Sequence, residues 1–345
     1  AGWTDPFICL QNEAGYRHRD AVAEKWPAYC STWSMPMHNA DTVFMALRKH
    51  LGHDTKLFLF FTDERFHAQL AKQPSIAAPA QFYIGAGTHI DAVLDRKRFY
   101  EFVSRYTHAP VPRIIDSNCD PFAAFGGPCW IRVHRSWQDS VVLPRGRRLD
   151  TKNQLNAWRN EVAQAALTEH DWGYQELLSC DPRDNVSVSG WHDDDSHISI
   201  CTRKLGIRPS PQNSGWLIER IADPGPLTCW AKQVLEAMSY CGPFEMEFIR
   251  TLNKRQFKIL ELNPRFWMQH RLLAELSDNA VIRKYIAASA TRVHIGRWKR
   301  YWLDPHSAAN LAPRSPYGAA KMLSRLPRTV FSLPLSEILV KHFRR

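Results

Sequence analysis

Apolar positions recur along this chain in short blocks whose period changes from block to block. "PFICL" (6–10) is a continuous apolar run of strand length. "DTVFMALRKHL" (41–51) returns its apolar residues every three or four positions, which predicts a helix with Asp41 as N-cap. "KLFLFF" (56–61) predicts a buried strand, and "TDERFHAQLAKQ" the helix that follows it. Strand, helix, strand, helix implies an α/β unit on a parallel sheet. The pattern then becomes more mixed. "DRKRFYEFVSRY" (95–106) reads as a basic helix starting at Asp95, and the prolines of "APVPRII" (109–115) force an extended segment. "CWIRVH" (129–134) reads as a strand, "NQLNAWRNEVAQAAL" (153–167) as an amphipathic helix and "WGYQELLS" (172–179) as a further strand. A hairpin is expected from "VSVSGW" and "HISICTRKL" around "HDDD", then a helix over 226–240. A second hairpin joins "PFEMEFIR" (243–250) to "QFKILELNP" (256–264) around "TLNKR". "NAVIRKYIAAS" (279–289) predicts a last helix before a Pro-rich, basic tail from about 296.

The second hairpin carries the chemistry. Side chains alternate along a strand, so Glu245 and Glu247 oppose the face of Phe244, Met246 and Phe248. The same alternation groups Phe257, Ile259, Glu261 and Asn263 on one face. A turn centred on Lys254 sets Glu247 directly across from Glu261; a centre one residue earlier sets Glu245 there instead. In either register two carboxylates meet. Like charges across a ladder are destabilising, so a shared proton or a bound divalent cation must offset them. Asn263 adds a neutral oxygen, Pro264 ends the strand, and Arg265 offers a fork for phosphate or carboxylate. "WHDDDSH" (191–197) is also rich in ligand types, but Asp clusters between strands usually build turns, and it is read that way.

Composition narrows the class. The chain has 345 residues, enough for two or three domains, and 44% apolar content marks it as globular. No apolar run approaches the ~20 residues of a membrane span, and residues 1–20 hold no signal-peptide core. Eight scattered cysteines without a CxxC pair argue for buried thiols in a reducing cytoplasm. The net charge of +11 admits nucleic acid or a small anion as partner. No nucleic-acid-binding signature accompanies it, which disfavours the first.

"FEMEFIRTLNKRQFKILELNPRFW" resembles the metal-binding end of ATP-grasp ligases, with Glu247 in the first strand, then Glu261, Asn263 and Arg265. "DRKRFYEFVSRYTHAPVPRII", "PCWIRVH", "YQELL" and "CTRKLGIRPSPQNSG" are similar to that family's segments in the same order, over about residues 40–290. The nearest flavour is that of the carbamoyl-phosphate-synthetase-like carboxylate–amine ligases. The resemblance implies an ATP-grasp fold, α/β and α+β. It would comprise an N-terminal α/β domain (1–94), a small lobe (95–172), a large lobe with the metal site (173–290) and a basic extension (291–345), the lobes clasping ATP.

By that resemblance Lys97, with Arg96 as alternate, and Arg132 would hold ATP phosphates. Gln175, Glu176 and Leu178 would line the adenine pocket, and Arg203, with Lys204 beside it, and Arg265 would act on the transferred phosphate or the carboxylate. Glu247, Glu261 and Asn263 would bind Mg²⁺, with Mn²⁺ as a substitute. The implied reaction is ADP-forming: ATP activates a small carboxylate as an acyl phosphate, which an amine attacks. The chain departs from the family at Arg132, where a lysine is usual, and in "HRSWQDSVVLPRGRR", whose single glycine is Gly146. These departures keep a non-catalytic nucleotide-binding homologue as the alternative reading, and a basic nucleic-acid-binding protein as a further one. A homodimer stays open.

Overall fold

Strands β1 (Phe7–Gln11) and β2 (Cys30–Ser34) pair in parallel, from Phe7 opposite Cys30 to Gln11 opposite Ser34. They belong to the first of two compact units, Ala1–Phe82 and Tyr83–Arg345. This computed structural model describes residues 7–11, 30–34, 45, 90–135, 137–138, 141–142, 146–164, 167–179, 181–208, 215–253, 255–277, 280–281, 284, 300–304 and 329–331. The parallel pair agrees with the α/β reading of the N-terminal segment. Of the helix expected over 41–51 only Met45 is described, and it is helical; the strand at 56–61, the helix after it and "IGAGTH" lie outside the described residues. So does most of the helix expected over 279–289.

The second unit contains a small antiparallel sheet and a large sheet that is antiparallel except for its last, parallel pair of strands. Strands β3 (Ile114–Asp116), β4 (Cys129–Val133), β5 (Trp137–Gln138), β6 (Val141–Val142), β7 (Arg148–Leu149) and β8 (Trp172–Glu176) come first. β5 and β6 form a separate short ribbon, and the others form a small sheet in the order β3-β8-β4-β7. Helix α1 (Arg96–Tyr106) begins at Asp95, whose carboxylate accepts from the Arg98 amide at 3.1 Å. Helix α2 (Lys152–Gln164) buries Leu155, Trp158 and Val162 against Ile131, Val133, Trp172 and Tyr174 of the small sheet. Burying each of these side chains is worth about 1.5–3 kcal/mol.

Gly146 sits where β4 passes: a Cβ there would lie 2.0 Å from the Ile131 carbonyl oxygen. The one glycine of the 134–148 segment therefore serves a close backbone approach, and the Ile131 amide donates to Arg147 O at 2.8 Å beside it.

The large sheet consists of β9 (Asn185–Asp193), β10 (Ser196–Ile207), β11 (Gly215–Ile221), β12 (Gly242–Arg250), β13 (Phe257–Asn263), β14 (Tyr301–Leu303) and β15 (Thr329–Phe331). Their order is β13-β12-β9-β10-β11-β14-β15. Both expected hairpins are present, β9–β10 and β12–β13. The "HDDD" segment closes the first: Asp194 and Asp195 form the turn, and Asp193, at the end of β9, accepts from Asp195 N at 3.0 Å and Ser196 Oγ at 2.9 Å. One face of this sheet packs Val186, Val188, Phe244, Met246 and Phe248 against α1 and helix α3 (Leu227–Ala237). Helix α4 (His270–Leu276) follows β13. The chain passes from the small sheet into the large one just after β8, where Leu178 bridges Thr251 and the Ser179 amide donates to Arg250 O at 3.1 Å.

Candidate active site

Glu247 stands directly opposite Glu261, and Glu245 opposite Asn263. The approach to that register differs from simple alternation. Phe248 pairs with Ile259, so Leu260 is an extra residue between the two pairs, a β-bulge. The bulge changes which residues share a face. Phe257 and Ile259 are buried in the apolar core with Leu262, while Glu261 and Asn263 emerge on the other side. The expected grouping of Phe257 and Ile259 with Glu261 is corrected by this one residue. Nearer the turn the register is shifted by one from a centre on Lys254, and the bulge restores the Glu247–Glu261 pairing.

Basic side chains occupy the space between the carboxylates. Lys204 Nζ lies 3.2 and 3.0 Å from the two carboxylate oxygens of Glu247, and Asn185 Nδ2 donates to Glu247 Oε2 at 3.0 Å. Arg96 is ion-paired with Glu261. Burial would raise the Glu261 carboxyl, but Arg96, Lys204 and Arg132 outweigh it and hold it below the ordinary carboxylate value. Burial disfavours the Lys204 ammonium, yet Glu247, Glu245 and Glu261 lift its pKa above the ordinary lysine value. Glu245 is the contrasting case. Burial and the neighbouring Glu247 push its carboxyl up to about 7. It accepts from Gln269 Nε2 at 2.9 Å and Asn263 Nδ2 at 3.4 Å.

The small sheet contributes Arg132 and Gln175. Arg132 Nε donates to Gln175 Oε1 at 3.1 Å, and burial, with the like charge of Arg96, brings its pKa down to about 10. The Tyr100 hydroxyl donates to Leu260 O at 2.9 Å and lies 3.3 Å from Gln175 Oε1. Glu176 is engaged elsewhere, accepting from the Arg113 amide at 2.6 Å and pairing with Lys258. Leu178 is buried at the crossing between sheets.

Two sequence-derived positions lie apart from this cluster. Lys97 pairs with Asp116 at 2.6 Å, on an exposed rim, so it is the alternate Arg96 that reaches the carboxylates. Arg203 lies on the opposite face of β10 from Lys204, 2.7 Å from Glu219, a buried carboxylate also held by Arg300 at 2.8 Å. Arg265 NH2 donates to Asn263 Oδ1 at 3.3 Å. Asn185 and Gln269 were not singled out from sequence; only the β9–β12 pairing and the turn into α4 bring them in.

Two opposed carboxylates and one amide oxygen are hard donors of the kind Mg²⁺ accepts when phosphates complete its shell. Among the described residues no group of three His, Cys, Asp or Glu side chains is arranged to hold a metal ion alone. The donor set therefore fits a metal shared with a ligand.

No family model matches the sequence, and no curated protein matches it. Solved structures do. The biotin carboxylase–β-γ-ATP complex of Campylobacter jejuni superposes with TM-score 0.61 and 16% identity, over 84% of this chain and 68% of that one. The ADP complex of PurK, an N5-carboxyaminoimidazole ribonucleotide synthetase, gives 0.61 and 12%, over 90% and 87%. The biotin carboxylase domain of Hydrogenobacter thermophilus 2-oxoglutarate carboxylase, solved with MgADP, ADP and bicarbonate, gives 0.60 and 13%, over 86% and 68%. At such identities the likeness is one of architecture. With its two sheets, the crossing after β8 and the acidic hairpin at β12–β13, the chain has the ATP-grasp fold.

Proposed function

We propose that this protein is an ADP-forming ligase that activates a small carboxylate with ATP and joins it to an amine. The observation that carries the reading is the opposition of Glu247 and Glu261 with Lys204, Arg96 and Arg132 gathered around them. Phosphoryl transfer needs positioning and charge neutralisation more than protein covalent chemistry, and this cluster supplies both. Arg132, Lys204 and Arg96 neutralise the triphosphate, and the segment from Gln175 to Leu178 receives the base through its backbone. Glu247, Glu261 and Asn263 hold Mg²⁺, which when bound neutralises phosphate charge. Arg265 orients the carboxylate substrate with its guanidinium fork. The architectural neighbours are complexes with β-γ-ATP, with MgADP, ADP and bicarbonate, and with ADP, which is consistent with this substrate class.

The test is interception. With ATP, Mg²⁺ and a panel of carboxylates but no amine, hydroxylamine should capture the acyl phosphate as a hydroxamate, with ADP released. Glu261→Gln should lose hydroxamate formation at least about a hundredfold while keeping its fold. Release of AMP and pyrophosphate would overturn the reading. The position of Gly146, committed to β4, favours a second reading, a nucleotide-binding homologue without turnover. ATP binding with no hydroxamate from any carboxylate identifies it.

A further inference from the structure

Lys204 and Arg96 stand on the very oxygens that a metal would need. The Lys204 ammonium is 3.2 and 3.0 Å from the two oxygens of Glu247, and Lys204 and Glu247 are each 13% exposed. It therefore occupies the mouth of that carboxylate, where a bidentate cation would sit. Asn185 takes a further lone pair of Glu247 at 3.0 Å, and Arg96 is paired with the second carboxylate, Glu261. The local charge points the same way. Glu245, Glu247 and Glu261 face Arg96, Arg132, Lys204 and Arg265, so cations outnumber carboxylates even with Glu245 ionised. A free dication approaching this cluster meets net positive charge and must evict a buried ammonium that Glu247 binds and that Glu245 and Glu261 also hold in place. A triphosphate changes both conditions, since it brings several negative charges and gives Lys204 and Arg96 new partners.

We propose that Lys204 and Arg96 are resident counter-ions of Glu247 and Glu261. They yield to a divalent cation only when a nucleoside triphosphate draws them away, so the site takes its metal as a metal–nucleotide complex and rejects the free ion. The proposal rests on reading the β12–β13 hairpin as the metal end of an ATP site. It also explains how two carboxylates can face each other across a ladder without a metal: each is neutralised by its own cation.

The experiment uses the full chain and Mn²⁺ alone, followed by the amplitude of the free-ion paramagnetic resonance signal. Wild-type protein should show little Mn²⁺ uptake. Lys204→Met should gain a saturable site at least about tenfold tighter, because one positive charge a few ångströms away has been removed. Adding Glu247→Gln to that variant should abolish the gain, which locates the ion at this pair. Arg96→Gln, on the more exposed carboxylate, should give a smaller gain, and it carries the test if Lys204→Met does not fold. Wild type binding Mn²⁺ as tightly as the charge-deleted variants would overturn the proposal. A separate titration with ATP decides the ATP reading: failure to bind nucleotide would sink that reading, while the metal-alone comparison still decides the role of Lys204.

Discussion

Arg203 and Lys204 are adjacent in sequence and project from opposite faces of β10. The sequence shows a basic pair in a strand, and only the pleat decides that Lys204 meets Glu247 while Arg203 meets Glu219. The same holds for Arg96 and Lys97. The amide of Arg96 is tied to the His134 carbonyl at 2.8 Å, which sets the phase of the first helical turn toward the small sheet. His270 gives the residue scale a measurable quantity. Its two ring nitrogens are buried without a hydrogen-bond partner, its ring meets Phe266 and Trp267 edge-on at 5.0 Å, and burial pulls its pKa down to about 4. Between that value and the ordinary 6.5 the unfolded chain binds a proton that the folded chain refuses, so stability falls as pH falls through this window. His270→Phe should remove that loss. Its melting temperature should decline less than the wild type's between about pH 7 and about pH 4.5, a difference worth about 1–3 kcal/mol. Parallel declines would mean that the imidazole is not held neutral.

At the scale of elements, β9 is an interior strand of the large sheet, lying between β10 and β12. Gly190 lies on it with no room for a side chain: a Cβ would fall 1.7 Å from the Ile198 carbonyl oxygen. Gly190→Ala should push β10 away and cost about 2 kcal/mol or more, seen as a lower urea midpoint. An unchanged midpoint would show that the two strands have slack. Both hairpins were legible because each couples strand-like runs through a polar turn; counting residues about that turn left Glu247 and Glu245 as alternatives opposite Glu261, and the bulge decides for Glu247. The bulge at Leu260 was not legible, since "KILEL" carries no glycine or proline to mark an extra residue. β11 was also missed: "GWLIERI" mixes apolar and charged positions, because Glu219 is buried among cations rather than exposed.

For the molecule as a whole, ordered motifs carried more than any single pattern. The segments around Asp95, Arg132, Gln175 and Glu261 lie far apart in the chain and meet in one cluster. The role of the C-terminal region was hidden. Its basic, proline-rich composition reads as an extension, yet Tyr301–Leu303 and Thr329–Phe331 complete the large sheet, and Trp302 is 1% exposed. Short strands inside polar sequence have too few positions to establish a period. Tyr100 has a consequence at this same scale. Its phenol has one proton and stands between two acceptors, Leu260 O on the large sheet and Gln175 Oε1 on the small one, with Arg132 next in line. It acts as a rivet through both plates of the clasp: a tilt of one plate strips the bulge of its only side-chain donor among the described residues or leaves Gln175 to Arg132 alone. Tyr100→Phe should therefore leave both plates folded and speed amide hydrogen exchange around Leu260 and Gln175 together; exchange quickening at only one of them would show that the plates are not joined there.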